Sequence, residues 1–518
     1  MTEKGTYRRN PVLPGFHPDP SVCRVGDTFY LATSSFHLFP GIPLRRSRNL
    51  ADWELAGYAI SRTSQIDLSG TPPSRGLFAP TIRHDGRSFY VACTQVDGLG
   101  NFLVSAPSIE GPWSDPVPLA VGGIDPSLFF DPEGRTWLCS NGETGDGPGI
   151  YLSRIDPRTG RILEGPRLIC RGSGGRWPEG PHLYRRGARW HLLLSEGGTE
   201  YGHFLTVFRA ESPWGPWEAC PGNPILTHRD DAAHPVQCVG HGDLVEDANG
   251  AWWLLCLGIR TLRPDVLLHN LGRETFLAPV RWNSEGWPVI GENGRIPLEL
   301  TSLPSLDAES EDPRTTGWED DFYGPELSPE WISLRSRPEG TVAIRPEGGL
   351  VLSGGPVGLS DPGGSPAFIG RPQTSFECIF EAELDFAPKD ENSEAGIVTM
   401  YDEEYHYEAF VTLRRGSRAL VLRRRVHDLE LESSPVPLPS VGAIRLTLRA
   451  DRTRYSFSGF PAGTKSAPPS AAGSGLVAGL CTEGTRRMTF TGVHLGLYCK
   501  NGVSTFLSAR SMDASGPA

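Results

Sequence analysis

An all-β chain of two domains, a five-bladed β-propeller followed by a C-terminal β-sandwich, is what this sequence predicts. Three observations predict it: one hairpin pattern recurs five times over roughly the first 300 residues, a polar acidic stretch follows, and alternating strands with almost no helical periodicity run on to about residue 510. The composition agrees. The 62 Gly and 47 Pro among 518 residues, without a G-X-Y period, call for tight turns between short strands and exclude an all-helical bundle.

The five copies read DPSVCRVGDTFYLATS from Asp19, APTIRHDGRSFYVACT from Ala79, DPSLFFDPEGRTWLCS from Asp125, EGPHLYRRGARWHLLLS from Glu179 and HGDLVEDANGAWWLLCLG from His241. Each passes from a small or acidic residue through a short apolar run to a Gly-bearing turn, then returns as an aromatic-rich strand, which is the chemistry of a β-hairpin. The copies start about 45 to 65 residues apart, room for a four-stranded blade, and segments such as FLVSAPSIEGPWSD and LTVFRAESPWGPWE supply the outer strands. Residues 1–299 are assigned to the propeller. The stretch LTSLPSLDAESEDPRTTG, 300–317, reads as an interdomain linker. From Trp318 the segments FECIFEAELDF, EAGIVTMYD, YHYEAFVTLRR and MTFTGVHLGLY alternate as strands that bury one face, so 318–510 is assigned to the sandwich. Residues 511–518 are expected to form a loose polar tail.

The net charge of -12 argues against a nucleic-acid backbone as partner and favours a small neutral ligand. With 38% hydrophobic and 21% charged residues the chain is neither disordered nor a membrane protein, and no apolar run reaches about 18 residues. The start, MTEKGTYRRNPV, has no apolar core of the length a secretion signal needs, and a cytoplasmic protein is expected. The ten Cys are scattered singly with no CxxC pair, so reduced, buried thiols are expected. No HExxH, EF-hand loop or Cys/His cluster occurs, and no metal ligands are assigned.

In a propeller the first strand of each blade lines the central channel, so the starts of the copies should converge at one end of the axis. That brings Asp19, Asp125, Glu179 and His241 around a single pit, while Ala79 supplies no carboxylate. The equivalence of Glu179 and His241 with the two aspartates holds to about one residue, because the hairpin turns differ in length. One Asp-Pro is a turn signal and no more. Several carboxylates gathered in one channel repel one another and raise each other's pKa, a cost that turn chemistry does not explain. Glycoside hydrolysis uses such a group, since it needs one protonated acid at the leaving oxygen and one ionised base or nucleophile. Phe36, Phe39, Phe78 and Trp177 lie near these residues in sequence and offer flat apolar faces to sugar rings.

Five ordered segments, GFHPDPSVCRVGDTFYLATSSFHLFPG, GGIDPSLFFDPEGRTW, RWPEGPHLY, GHGDLVED and LGRETF, carry a resemblance to glycoside hydrolase family 43, to its two-domain β-xylosidase and α-L-arabinofuranosidase members. The likeness spans nearly the whole chain. It implies the same two folds and hydrolysis with inversion at the anomeric carbon, without a required cofactor. By motif, Asp19 resembles the general base, Glu179 the general acid and Asp125 the third carboxylate that orients the acid. Arg273 of LGRET resembles a residue that hydrogen-bonds the sugar, and His241 of GHGD resembles an axial His that in some relatives helps hold an ion or a water. Phe36, Phe78, His241 and Arg273 are therefore the expected substrate-binding residues. Related sequences carry Trp where Leu38 and Phe78 stand here, which changes the expected pocket walls. The resemblance also implies a sandwich loop that closes the pocket against long chains, and the matching portion here, GLYCKNGVSTFLSARSM, is shorter.

The main functional expectation is an exo-acting enzyme that releases terminal β-D-xylose from xylo-oligosaccharides by single displacement. An α-L-arabinofuranosidase, alone or in the same enzyme, is the close alternative, since substrate choice lies in pocket shape. A non-catalytic sugar-binding propeller is the more distant one. A WD-type scaffold is disfavoured, because the repeats lack its Gly-His and Trp-Asp signatures. The expected partner is a small oligosaccharide, and assembly into a homo-oligomer is left open.

Overall fold

Each of the five copies turns on a glycine at positive φ, namely Gly26, Gly86, Gly134, Gly187 and Gly250. Only glycine takes that conformation without strain, so the flanking segments reverse and pair antiparallel. The computed structural model describes residues 7–263, 267–301, 303–304, 317–463, 470–485 and 487–514. In it the hairpins form the inner two strands of five sheets. Blade 1 runs Ser21–Val25, Thr28–Ala32, Gly41–Ser47 and Glu54–Ile60, and blade 2 runs Gly76–His84, Phe89–Val96, Gly100–Ala106 and Val117–Pro118. Blade 3 comprises Ser127–Phe130, Thr136–Thr144, Gly147–Ile155 and Ile162–Cys170. Blade 4 comprises Glu179–Arg186, Arg189–Glu196, Phe204–Ala210 and Glu218–Ala219, with Leu226–Thr227 also on its third strand. Blade 5 is Val236–Glu246, Trp252–Arg260, Glu274–Trp282 and Pro288–Ile290.

The first strands of successive blades touch in order and the fifth touches the first, so the ring is closed. Five apolar seams hold it, each drawn from two neighbouring blades: Ile82 and Val91 against Leu44, Leu128 and Leu138 against Leu103, Leu183 and Leu192 against Trp137, Leu254 and Phe276 against Leu193, and Val22 and Leu31 against Leu255. Burying such a side chain is worth about 1.5–3 kcal/mol. The N-terminal segment fastens onto blade 5. Leu13 bridges to Thr275, the Asn10 side chain exchanges hydrogen bonds with the Leu277 backbone, and Arg8–Arg9 pairs with Glu299–Leu300.

At the mouth of the channel one residue per blade has positive φ: Asp19 (54°), Ala79 (34°), Asp125 (57°), Gly180 (55°) and His241 (43°). Two residues later Ser21, Thr81, Ser127, His182 and Asp243 enter the ladder opposite Ala32, Ala92, Cys139, Leu193 and Leu255. This ring corrects the repeat alignment. His241 is equivalent to the two aspartates, but Gly180 is the equivalent in blade 4, and Glu179 precedes it. The offset arises because Glu179 itself pairs with Ser195 and a bulge separates it from the next paired residue, His182.

The channel is plugged below the mouth. Arg83 grips both oxygens of the fully buried Asp243 at 2.8 and 3.0 Å, and that carboxylate also accepts from Ser21 Oγ (2.8 Å), Val22 N (2.9 Å) and Tyr184 OH (2.6 Å). His182 joins the plug through Ser127 Oγ (2.9 Å) and Arg83 (3.0 Å).

The second domain is two antiparallel sheets. One runs Val342–Ile344, Leu350–Gly354, Gly502–Asp513, Cys378–Asp385, Ile444–Ala450, Arg454–Pro461 and Ser470–Leu476. The other runs Ala367–Pro372, His494–Lys500, Glu394–Asp402, Tyr405–Arg414, Ser417–Val426 and Leu429–Glu432. Along Cys378–Asp385 burial alternates and Cys378, Phe380, Ala382 and Leu384 face the inner core. Glu394–Asp402 is buried throughout because its second face meets the propeller. There Val398 and Met400, with Phe368, Phe410 and Tyr498, join Phe16, Phe36 and Leu38 in one interdomain cluster. Ser333–Leu334 adds a two-residue ladder to Leu38–Phe39 of the propeller.

Two expectations change. The tail was placed from residue 511, but the last strand continues to Asp513, where Ser511 faces Trp318 and Met512 faces Ile379. Of the 300–317 linker, residues 302 and 305–316 lie outside the described residues, as do 515–518 of the tail. Finally, MTFTGVHLGLY is a strand only from His494, and Met488–Val493 is irregular. All ten cysteines are unpaired and nine are buried, Cys170 being half-buried. No helix among the described residues is long and apolar enough to cross a membrane.

Candidate active site

The ring at the channel mouth opens into a cavity of about 290 Å³ lined by Asp19, Asp125, Glu179, His241 and Arg273, with Phe36, Phe78 and Trp177 among its walls. That volume is at the small end of ligand sites, ~300–1,000 Å³. All seven residues expected from the sequence meet here. Phe39 does not, because its strand pairs with Ser333 at the domain boundary. Leu38 is likewise interdomain core rather than pocket wall.

Asp19 is fixed from two sides. Ser34 Oγ donates to Oδ2 at 2.6 Å and in turn accepts from Ala79 N at 2.7 Å, while Arg273 Nη1 lies 3.4 Å from Oδ1 and His241 Nδ1 3.9 Å from it. Burial pushes this carboxyl up, but Arg273, His241 and the Ser34 hydroxyl outweigh burial and hold it below the usual aspartate range. Asp125 Oδ2 accepts from Gly180 N at 3.0 Å, so it grips the backbone next to Glu179. Burial and the charge of Asp19 raise Asp125, against the pull of His241, the Gly180 amide and Arg273. Glu179 is driven well above the usual glutamate range by burial and by the charges of Asp125 and Asp19, with only Arg273 opposing. One cavity thus holds one carboxyl pushed below its usual range beside two pushed above theirs, the separation an acid and a base require.

Arg273 ties the two domains together at this point. Its guanidinium donates to Asp19, to Thr199 Oγ1 (3.0 Å) and to Phe490 O (3.2 Å), and it lies over the rings of Phe36 and Phe490 at 5.6 and 5.0 Å. Phe490 and Met488 reach the cavity from the sandwich domain. Phe490 stacks on Phe36 at 5.6 Å and meets Phe78 edge-on at 5.7 Å, and Ser74 Oγ accepts from its backbone N–H at 2.9 Å. The closing element is therefore Met488–Phe490, not the later strands of GLYCKNGVSTFLSARSM, which pair within the sandwich.

Around the His241 ring, Ser195 Oγ and His203 Nε2 are buried without partners, and burial lowers His203 to about 4, so it is neutral. A hydroxyl and a neutral imidazole suit a water. Among the described residues no three His, Cys, Asp or Glu groups converge as metal ligands. Sequence reasoning missed Ser34, Thr199, Ile124, Met488 and Phe490. A lone hydroxyl leaves no pattern, and Phe490 hid inside a segment whose alternation looked like strand.

The profile of Glycosyl hydrolases family 43 matches residues 8–288, and that of the Beta xylosidase C-terminal Concanavalin A-like domain matches 319–506. The chain belongs to glycosyl hydrolase family 43. It is 38% identical over 95% of its length to a non-reducing end α-L-arabinofuranosidase of Bacteroides ovatus, 90% of which is covered. It is 35% identical to a xylosidase/arabinosidase of Humicola insolens, with 94% of each chain covered. The crystal structure of a xylan β-1,4-xylosidase from Bacillus halodurans superposes with a TM-score of 0.90 at 34% identity, covering 98% of this chain and all of that one. This family 43 protein is a glycosidase, and the family hydrolyses with inversion.

Proposed function

We propose that this glycosidase removes one terminal pentose from the non-reducing end of short oligosaccharides, β-D-xylose in the first place, with Glu179 as general acid and Asp19 as general base. The observation that carries this reading is the meeting of three carboxyls around one small cavity whose surroundings push Asp19 below its usual range and Glu179 above its own. Glu179 gives its proton to the glycosidic oxygen as the bond from that oxygen to the anomeric carbon breaks. A water attacks the anomeric carbon from the opposite face and loses its proton to Asp19. The two carboxyl groups then return to their starting states by exchange with solvent. Asp125 holds the backbone beside the acid and, by its own charge, helps to keep the acid protonated. Arg273 stabilises the Asp19 carboxylate and presents a donor edge to the sugar hydroxyls. Both proton transfers are complete with these side chains, and the proposal includes no cofactor. Closure of one wall by Phe36, Phe78 and Phe490 favours a chain end over a chain middle.

A second reading, release of α-L-arabinofuranose, is favoured by the Bacteroides ovatus relative, whose name states that activity. The test pairs 4-nitrophenyl β-D-xylopyranoside with 4-nitrophenyl α-L-arabinofuranoside and follows by proton NMR the anomer of the xylose released from the xyloside. Faster turnover of the xyloside, with α-xylose as the first product seen, is expected. First appearance of β-xylose, or inertness toward both glycosides, overturns the proposal.

A further inference from the structure

Trp177 is an anomaly of the fold. Its side chain is 61% exposed, so burial contributes little to holding it, and its backbone has φ 51°, a conformation that strains a bulky residue. Neither feature helps the propeller fold. Yet the segment is clamped on both sides: Gly197 N donates to Arg176 O at 2.8 Å and Asn141 Nδ2 donates to Pro178 O at 2.7 Å. The indole lies so close over Gly198 that a Cβ there would stand 3.0 Å from Cζ3. It lines the cavity two residues before Glu179.

The clamp extends to a carboxylate outside the cavity. Glu196, at the end of Arg189–Glu196, is fully buried and accepts from Thr206 Oγ1 (2.6 Å), Ser173 N (2.9 Å), Ser173 Oγ (3.2 Å) and Gly175 N (3.0 Å). All of these donors are neutral. A buried carboxyl group satisfied only by neutral hydrogen-bond donors is a costly way to hold a loop, and it suits a loop whose position must not vary. The loop held is Ser173–Pro178, which carries Trp177 into the acid. A Cβ on Gly172 or Gly175 would meet Glu196 Oε2 at 2.8 Å, so the chain comes as near to the carboxylate as glycine allows.

We infer that Trp177 is the platform on which the leaving sugar lies, and that Glu196 is the positioning residue that keeps the ring in place. The inference rests on the exo-pentosidase reading and adds to it where the departing residue binds. A flat pyranose face stacked on the indole holds the glycosidic oxygen at the proton of Glu179. A leaving group without a ring gains nothing from this contact.

The measurement is the ratio of kcat/KM for xylobiose to that for methyl β-D-xylopyranoside, with the corresponding arabinobiose and methyl α-L-arabinofuranoside pair run alongside. Trp177→Ala is expected to lower the ratio by about tenfold or more, with Trp177→Phe recovering part of it. Glu196→Gln, which sets an amide among donors, is expected to lower the ratio in the same direction, and Thr206→Val, which removes one donor, to do so more weakly. The variant carrying both Trp177→Ala and Glu196→Gln should have the ratio of Trp177→Ala alone, because both act through one ring. Multiplying losses overturn the role of Glu196. An unchanged ratio in Trp177→Ala overturns the platform. Wild-type enzyme inert toward both pairs overturns the pentosidase reading and the inference with it, whereas active wild type with an unchanged ratio overturns the inference alone.

Discussion

Two successive levels of the propeller channel hold buried carboxylates within two residues of each other in the same repeat frame, and they behave in opposite ways. At the floor, Asp243 meets one guanidinium, Arg83, and its carboxyl is held low although burial alone would raise it. At the mouth, Asp19, Asp125 and Glu179 share one guanidinium, Arg273. Only the acid that Arg273 touches stays low, and the other two rise. The backbone scaffold is the same at both levels. Cations and hydrogen-bond donors matched to carboxylates make a structural plug, and carboxylates in excess of cations are driven apart in pKa, as the proposed acid and base require.

The largest expected effect removes the excess at the mouth. Glu179→Gln is expected to slow xylobiose hydrolysis by about 10²- to 10⁴-fold, the usual worth of a general acid. The loss should be much smaller for a 2,4-dinitrophenyl xyloside, whose leaving group departs without a proton. An equal loss on both substrates would contradict the assignment. At the floor the cost is stability. Arg83→Met leaves Asp243 buried without its counter-charge, and is expected to cost about 3–5 kcal/mol, read as a lower unfolding midpoint. Adding Asp243→Leu to that variant should restore part of the midpoint. If the double variant is worse than the single, the plug is not a simple charge pair.

Next comes Arg273→Met, which tests the shared cation. In the proposed mechanism activity needs Asp19 ionised and Glu179 protonated, so the rate should rise as pH passes the pKa of Asp19 and fall as it passes that of Glu179. Arg273 lowers both groups. Its removal should therefore move both limbs of the kcat/KM profile to higher pH, with the rate at the optimum down about 10- to 100-fold from lost charged hydrogen bonds. Unmoved limbs would mean that Arg273 only binds sugar.

The contrast also explains what could be read without coordinates. Blade count and hairpins were legible because Gly-bearing turns and apolar alternation are local, and every hairpin turn carries its glycine at positive φ. Asp19, Asp125 and His241 were legible because the repeat places them at one level. Glu179 was read one residue out of register, since a bulge before His182 shifts the strand and glycine takes the strained position. Phe490 and Ser34 were not legible. One depends on how the sandwich docks on the propeller, and the other is a single hydroxyl between Asp19 and the Ala79 backbone.

Phe490 gives the smallest expected effect and the finest cut. Its ring stacks on Phe36 in the cavity wall and lies 5.0 Å from the Arg273 guanidinium, while its carbonyl accepts the hydrogen bond from Arg273. Phe490→Ala keeps that carbonyl and removes the wall. Charge matching at the mouth should then be intact, and both pH limbs should stay where they are in wild type. The missing apolar surface should appear as weaker binding, with KM for xylobiose raised about tenfold and kcat changed less. If the limbs move as they do in Arg273→Met, the ring is holding the guanidinium against Asp19. The sandwich domain would then set the charge state of the base as well as the shape of the pocket.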